Sequence, residues 1–365
     1  MEKFETWTQK KFSENDFEKF MGKVQSTHLT HAADEVFRKR ANSGGSVTAI
    51  LSHLLESGVI DGAVVNESYL EENLLKNRFV VARNRETLLT AQGSKYVSVK
   101  FTSQAIPLIR SFEGKLVVVA LPCDASILAH LCEKEEAFAK KIVLIITLFC
   151  GHNSQPILTE KFIKKWKSED QKLLFFQHKT GLWRGKSMFS YSDGENRYVP
   201  FSQFGTYQNL YFFCERKCLN CHDHFGYVGD LSAGDVWIST MRDEAIKPTA
   251  IVVRTDRGDR ALQACVNGKV LTAKPIEQEM VMQGQSRTAR FHYQVSARHM
   301  IGKLFKLNIP DTVHAKVRFL DYILAFLILM NYKLSASKFG QKLIFKVPLN
   351  FWKVYLYLIK GLESF

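Results

Sequence analysis

With 365 residues, 46% of them hydrophobic and 24% charged, the chain has the balance of a soluble globular protein and enough length for a sizeable core in two or three domains. The seven cysteines are an odd number spread from Cys123 to Cys265, which argues against a disulfide scaffold and for a reducing, cytoplasmic compartment. The charged N-terminus has no apolar signal core, so secretion is not expected. The net charge of +14 is uneven: from Ser296 onward there are eleven Lys and Arg against three Asp and Glu. Such a tail suits anionic lipid, a nucleotide or nucleic acid, or is simply a solvated lysine surface.

In chain order, residues 1–42 read as a polar helical lead-in, with Phe4, Phe12, Phe17 and Phe20 at loosely helical spacing and Phe17 and Phe20 packing on the body. Ala41-Asn-Ser-Gly-Gly-Ser-Val-Thr48 then starts a helix that stops at Gly58. The free amides at such a start can hold a phosphate, although a Gly-Gly start is also an ordinary turn. Val59–Val65 reads as a short strand. Lys115–Leu121 and Lys141–Phe149 are apolar on both faces, as strands of a covered, largely parallel sheet are. Each ends just before a cysteine, Cys123 and Cys150, at the strand end where open α/β sheets place ligands. The expected fold is therefore α/β: a mixed, largely parallel sheet covered by helices, with a smaller α+β insertion within 160–213 and a helical C-terminal tail. Residues 43–295 form the main domain and 296–365 a basic amphipathic tail, in which the apolar run Phe319–Tyr332 is too short and interrupted to span a bilayer. The tail can lie on a membrane surface, dock on a partner or pack on its own domain. Cys132 and Cys265 read as core thiols.

The densest chemistry is Cys214-Glu-Arg-Lys-Cys218-Leu-Asn-Cys221, leading toward Asp230-Leu-Ser-Ala-Gly-Asp-Val-Trp237. Three thiols within eight residues suit an iron–sulfur cluster or zinc, or are reactive or incidental thiols. A closed site needs a further ligand, for which Cys123 and Cys150 are candidates. Cys-x3-Cys-x2-Cys also matches the radical-SAM cluster loop. Its position past the middle of the chain and Asn220 before the last cysteine count against that reading.

Six stretches together resemble the β subunit of coenzyme F-420 hydrogenase/dehydrogenase. They are Arg40–Ala49 with Gly58–Val65, Gly93-Ser-Lys-Tyr-Val97, Leu121-Pro-Cys123, Leu148-Phe-Cys-Gly-His152, Cys218–Asp223 with Asp230–Trp237, and Val252–Gly258. The resemblance covers roughly residues 20–295. It implies an oxidoreductase with FAD (or FMN) and one 4Fe–4S cluster, passing electrons between a reduced carrier and a second substrate. The carrier would be the deazaflavin coenzyme F-420, ferredoxin or NAD(P)H. By position, Cys123, Cys150, Cys218 and Cys221 would ligate the cluster, with Cys214 as an alternative. Ser43, Gly44, Gly45 and Thr48 would meet the flavin phosphate or ring, and Ser94, Lys95 and Tyr96 would line it. Lys95 would stabilise the reduced ring as the catalytic residue, and Asp235 would order the cluster loop. The chain departs from many relatives in having no cysteine within residues 1–42, where a ferredoxin-like module would stand. Its tail is similar to those of bacterial relatives linked to surface-polysaccharide synthesis. The rival reading is a non-catalytic module, stapled by zinc, whose basic tail grips anionic lipid or nucleic acid.

Overall fold

The computed structural model describes residues 14–72 and 74–364. Among these residues eleven strands build two sheets: β1 Ser26–Ala32, β2 Gly62–Glu71, β3 Leu74–Ala82, β4 Leu116–Ala120, β5 Ile142–Leu148, β6 Leu173–Thr180, β7 Lys186–Tyr191, β8 Asn196–Pro200, β9 Leu231–Asp235, β10 Thr249–Val253 and β11 Leu271–Pro275. The larger sheet runs β11-β1-β10-β9-β5-β4-β2-β3, and β6-β7-β8 form the smaller one. The sheet is mixed, as expected. Its centre, β9-β5-β4-β2, is parallel, and the flanking pairs are antiparallel.

The central strands are apolar on both faces because helices cover both. On one side the helix Ser46–Glu56 packs Ile50, Leu51 and Leu54 with Leu144, Ile146 and Ile251, and Cys265 is buried there, as a core thiol should be. On the other, Phe101–Ser111 and Pro122–Lys134 pack on Val118, Ile142 and Ile145, with Cys132 half-buried beside them. Phe17 and Phe20 pack against a fourth cluster, while Phe4 and Phe12 lie outside the described residues.

Two elements differ from the sequence reading. Residues 26–32 are not helical: they are β1, paired on both edges. Its polar-looking threonines are satisfied inside the protein, Thr27 Oγ1 donating to Ile276 O at 2.6 Å and Thr30 Oγ1 to Ser46 Oγ at 2.8 Å. Backbone pairing and buried hydroxyl bonds override a weak local pattern. The short strand at 59–65 starts at Gly62 and runs to Glu71, forming a hairpin with β3 that the polar sequence there did not advertise.

The tail forms the helices Phe319–Ala336, Lys338–Lys346 and Leu349–Ser364. The first extends past Tyr332 to 18 residues, so by length and composition alone it is apolar enough to cross a membrane, contrary to the expectation that it is too short. Here Leu324, Ile328 and Leu329 join Ile344, Leu356 and Ile359 in one core with Phe204, Phe213, Cys214 and Cys218. The tail thus buttresses the cysteine loop.

Candidate functional site: a four-thiol void beside a large cavity

The segment after β5 is the hub of the site. Phe149 N–H bonds to Ala233 O at 2.8 Å and Cys150 N–H to His224 O at 3.0 Å. Ser154 then bridges Val97 on one side and Cys214 on the other. Asn153 O accepts from Glu215 N at 2.9 Å, and Ser98 Oγ donates to Glu215 Oε1 at 2.6 Å. The loop carrying Ser94, Lys95 and Tyr96, the Cys150 strand end and the cysteine loop are therefore joined by short backbone and side-chain bonds.

Cys123, at the first turn of the helix that follows β4, Cys150, after β5, and Cys218 and Cys221, on the turn Arg216–Leu219 and just beyond it, line one small void of about 10 Å³. His152, Asn153, Lys217, Asp223 and His292 complete its wall with Leu121 and Pro122. Among the described residues no three His, Cys, Asp or Glu side chains converge closely enough to hold a single metal ion, so the thiols ring a space, not a point. Burial pushes the Cys221 thiol up to about 12 and raises Cys123 and Cys150 as well, and the sulfurs reinforce one another. These three thiols become thiolates only if something positive stands near them.

Cys218 is the exception. A hydrogen bond from Cys214 and the Asn153 N–H hold its thiol below the usual range against the cost of burial. Cys214 lies behind Cys218, fully buried in the aromatic core, and does not line the void. Its own thiol also reaches the Glu215 carbonyl, at 3.5 Å.

Cys150 is also in the wall of a second cavity of about 910 Å³. Seven of the eight expected cofactor-binding residues line it: Ser43, Gly45, Thr48, Ser94, Lys95, Tyr96 and Asp235. Gly44 does not. Its amide donates to Thr249 Oγ1 at 2.9 Å, and a Cβ there would stand 2.5 Å from Thr30 O, so this glycine serves close packing on β1 and its amide is not offered to a phosphate. Gly45 has φ +73 and caps the helix that starts at Ser46. That left-handed conformation favours glycine.

Lys95 is enclosed, and burial lowers its ammonium to about 7. Its Nζ donates to Gly93 O at 3.0 Å and to Ala91 O, so its ammonium caps the preceding helix while the stem lines the cavity. Asp235 does not sit in the cysteine loop. It pairs with Lys179 at 2.6 Å and Lys247 at 3.2 Å, and both ammoniums lie 4.0 Å over the Trp237 ring. Burial works against the carboxylate, but the two lysines outweigh it and hold Asp235 below its ordinary value. Its link to the thiols is indirect: Gln285 spans Asp235 O and His224, whose other ring nitrogen meets Cys150 O at 3.0 Å.

Sequence reasoning missed Lys179, Lys247, Trp183, Gln285, His224, His292 and Arg298. Only His224 adjoins a quoted motif; the others come from elements that the fold alone brings in. Five buried polar atoms in the cavity wall have no hydrogen-bond partner among the described residues: Asn66 Nδ2 and Oδ1, Gln92 Oε1, His152 Nε2 and Trp183 Nε1. Orphaned groups of this kind in a large, mostly apolar cavity mark a space built for a ligand.

A thiol-ringed void thus shares a wall with a large cavity at the ends of the parallel strands of an α/β sheet. Comparison with known proteins makes this specific. Residues 27–105 match the N-terminal part of the coenzyme F420 hydrogenase/dehydrogenase beta subunit family, and residues 113–279 match its C-terminal part. The chain belongs to this family. It is 25% identical over 271 residues to coenzyme F420 hydrogenase subunit beta of Methanothermobacter thermautotrophicus, covering 71% of this chain and 87% of that one. It is 24% identical over 249 residues to F420-dependent formate dehydrogenase 1 subunit beta of Methanococcus maripaludis, covering 68% of this chain but only 61% of that one. Its fold is similar to a chain of the F420-reducing NiFe hydrogenase complex of Methanosarcina barkeri, with a TM-score of 0.61, 20% identity, and coverage of 80% and 98%. The open sheet leaves no place for the barrel of a radical-SAM enzyme.

Proposed function

We propose that this protein is a flavin- and iron–sulfur-dependent oxidoreductase that passes electrons between a reduced carrier, of the deazaflavin F-420 type named in its relatives, and a second substrate. The observation that carries the reading is Cys150, which lies in the wall of both the thiol void and the large cavity. FAD fits the large cavity by size and by its orphaned polar lining, and four thiolates are the ligand set of a 4Fe–4S cubane. Bound there, the pair would convert between two-electron and one-electron transfer.

The chain's own residues have definable tasks. Ser43, Ser46 and Thr48 present hydroxyls at a helix start, where the free backbone amides favour an anionic group. Tyr96 and Ser94 fix the cavity wall: with its amide turned toward its partners, Asn42 accepts from Ser94 N at 2.8 Å and donates to the Lys179 carbonyl. Lys95 lines the cavity with its stem while its Nζ is held by the carbonyls of Ala91, Gln92 and Gly93, which ties the Ser94–Tyr96 loop to the helix before it. Lys179 and Asp235 form an ion pair in the same wall, with Lys247 behind them, lowered to about 7 by burial. The His292 ring lies between Gly151 O at 2.6 Å and Cys221 O at 3.0 Å, donating its one N–H to either, and Arg298 bonds Leu219 O at 2.9 Å, so two thiol-bearing segments are backed from behind.

The exposed Phe319, Phe339, Phe351, Val354 and Leu358, set among Lys338, Lys342, Lys346 and Lys353, support a further reading in which the tail rests on an anionic membrane surface.

Anaerobic purification tests the main proposal. One flavin and about four irons per chain, with flavin bleached by reduced deazaflavin, are expected. A colourless protein carrying stoichiometric zinc would refute it and favour the zinc-stapled module.

A further inference from the structure

The last helix, Leu349–Ser364, lies beyond both family matches, yet it supplies Lys353, Tyr357, Lys360 and Glu363 to the wall of the large cavity. Facing them are Arg287, from the helix Gln278–Tyr293, and Trp183 and Arg184, from the turn between β6 and β7. Positive charge is concentrated here. Burial lowers Lys360 to about 7, and Arg287 and Arg184 push it the same way, with Glu363 opposing them. Glu363 is already held by Arg287 and by the Tyr211 hydroxyl at 2.8 Å. The Trp183 Nε1 donor in the same wall has no hydrogen-bond partner among the described residues. Repelling cations and an unused neutral donor, converging from three separate elements on one cavity, describe a site complementary to a multiply charged anion.

We infer that this corner is a phosphate subsite, completed by the C-terminal helix, which holds the phosphate-bearing part of the second substrate through Lys360, Lys353 and Trp183, beside the Arg287–Glu363 pair. A phosphate offers several acceptor oxygens and up to two charges, which the cations and the indole N–H can share, whereas one carboxylate satisfies fewer of them. The inference rests on the reading that the same cavity holds a flavin, whose own diphosphate is the other source of this chemistry.

The test uses the full chain, purified anaerobically, with inorganic pyrophosphate as the probe in calorimetric titration and with flavin content measured in parallel. Binding by the wild type is expected, with at least tenfold weaker binding in Lys360→Gln and in Trp183→Phe, near-normal binding in Lys360→Arg, and unchanged flavin content in all three. Absence of pyrophosphate binding by the wild type, or equal affinity in the variants, overturns the subsite. Loss of flavin along with affinity assigns the cations to the cofactor and also overturns it. If the wild type carries no flavin but shows the expected pattern of pyrophosphate binding, the subsite stands and the flavin reading fails, so the two failures are seen separately.

Discussion

The backbone N–H of Asn153 donates to the sulfur of Cys218 at 3.3 Å, joining residues 65 positions apart at the centre of the site. With the hydrogen bond from Cys214, it favours the Cys218 thiolate in a place where burial opposes charge.

That relationship ranks the cysteines. Replacing Cys123, Cys150, Cys218 or Cys221 by Ser should each strip most iron from the purified protein, whereas Cys214→Ser should keep most of it and alter only the cluster's spectroscopic signature. Iron and sulfide analysis with electron paramagnetic resonance checks this. Equal iron loss in Cys214→Ser and Cys218→Ser would show that Cys214 is itself a ligand.

Asp235→Asn leaves the buried Lys179 ammonium without its carboxylate partner, next to Lys247, which burial already lowers to about 7. Removing one partner of a buried ion group costs about 3–5 kcal/mol. A clear drop in thermal midpoint is expected, together with weakened flavin retention. Asp235→Glu, which keeps the charge, should recover part of both.

His178 is packed among Tyr96, Phe176 and Phe204, and its Nε2 lies 3.0 Å from Thr159 Oγ1. Burial lowers it to about 3, so the folded protein keeps it neutral where the unfolded chain protonates near 6.5. The unfolded state then binds the extra proton, and stability falls as pH drops through 6.5, by about 2 kcal/mol from this group between pH 7 and 5. Denaturant unfolding at the two pH values should show a smaller difference in His178→Phe than in the wild type.

Arg298 is fully buried, 4.0 Å over the Phe291 ring, and bonds the carbonyls of Leu219, Phe291 and Cys221. Arg298→Leu orphans those carbonyls, at about 1–3 kcal/mol each before relaxation. Lower stability and loss of iron are expected together, while Cys265→Ala, in a separate core, should lower stability and leave iron in place.

For the tail, flotation with vesicles rich in anionic lipid should capture the wild type in low salt. Capture should drop severalfold in a Phe351→Ser/Val354→Ser double variant. Equal recovery with neutral vesicles would rule out the electrostatic part of that reading.

The sequence alone determined the central strands, the helix start at Gly45 and the placing of Cys123 and Cys150 just after strand ends. Each depends on short-range rules: an apolar run wide enough for two covered faces, a positive φ that favours glycine, and a thiol placed next to a strand end. It did not reveal β1, because its hydroxyls find partners only after residues hundreds of positions away have folded onto it. Nor did it show that Cys214 stands behind Cys218, that Gly44 serves packing, that Asp235 pairs with Lys179 and Lys247, or that the last helix walls the cavity. Those are matters of distance between elements, and in a mixed sheet whose neighbours are far apart in the chain, tertiary packing decides which side chains come within reach of one another.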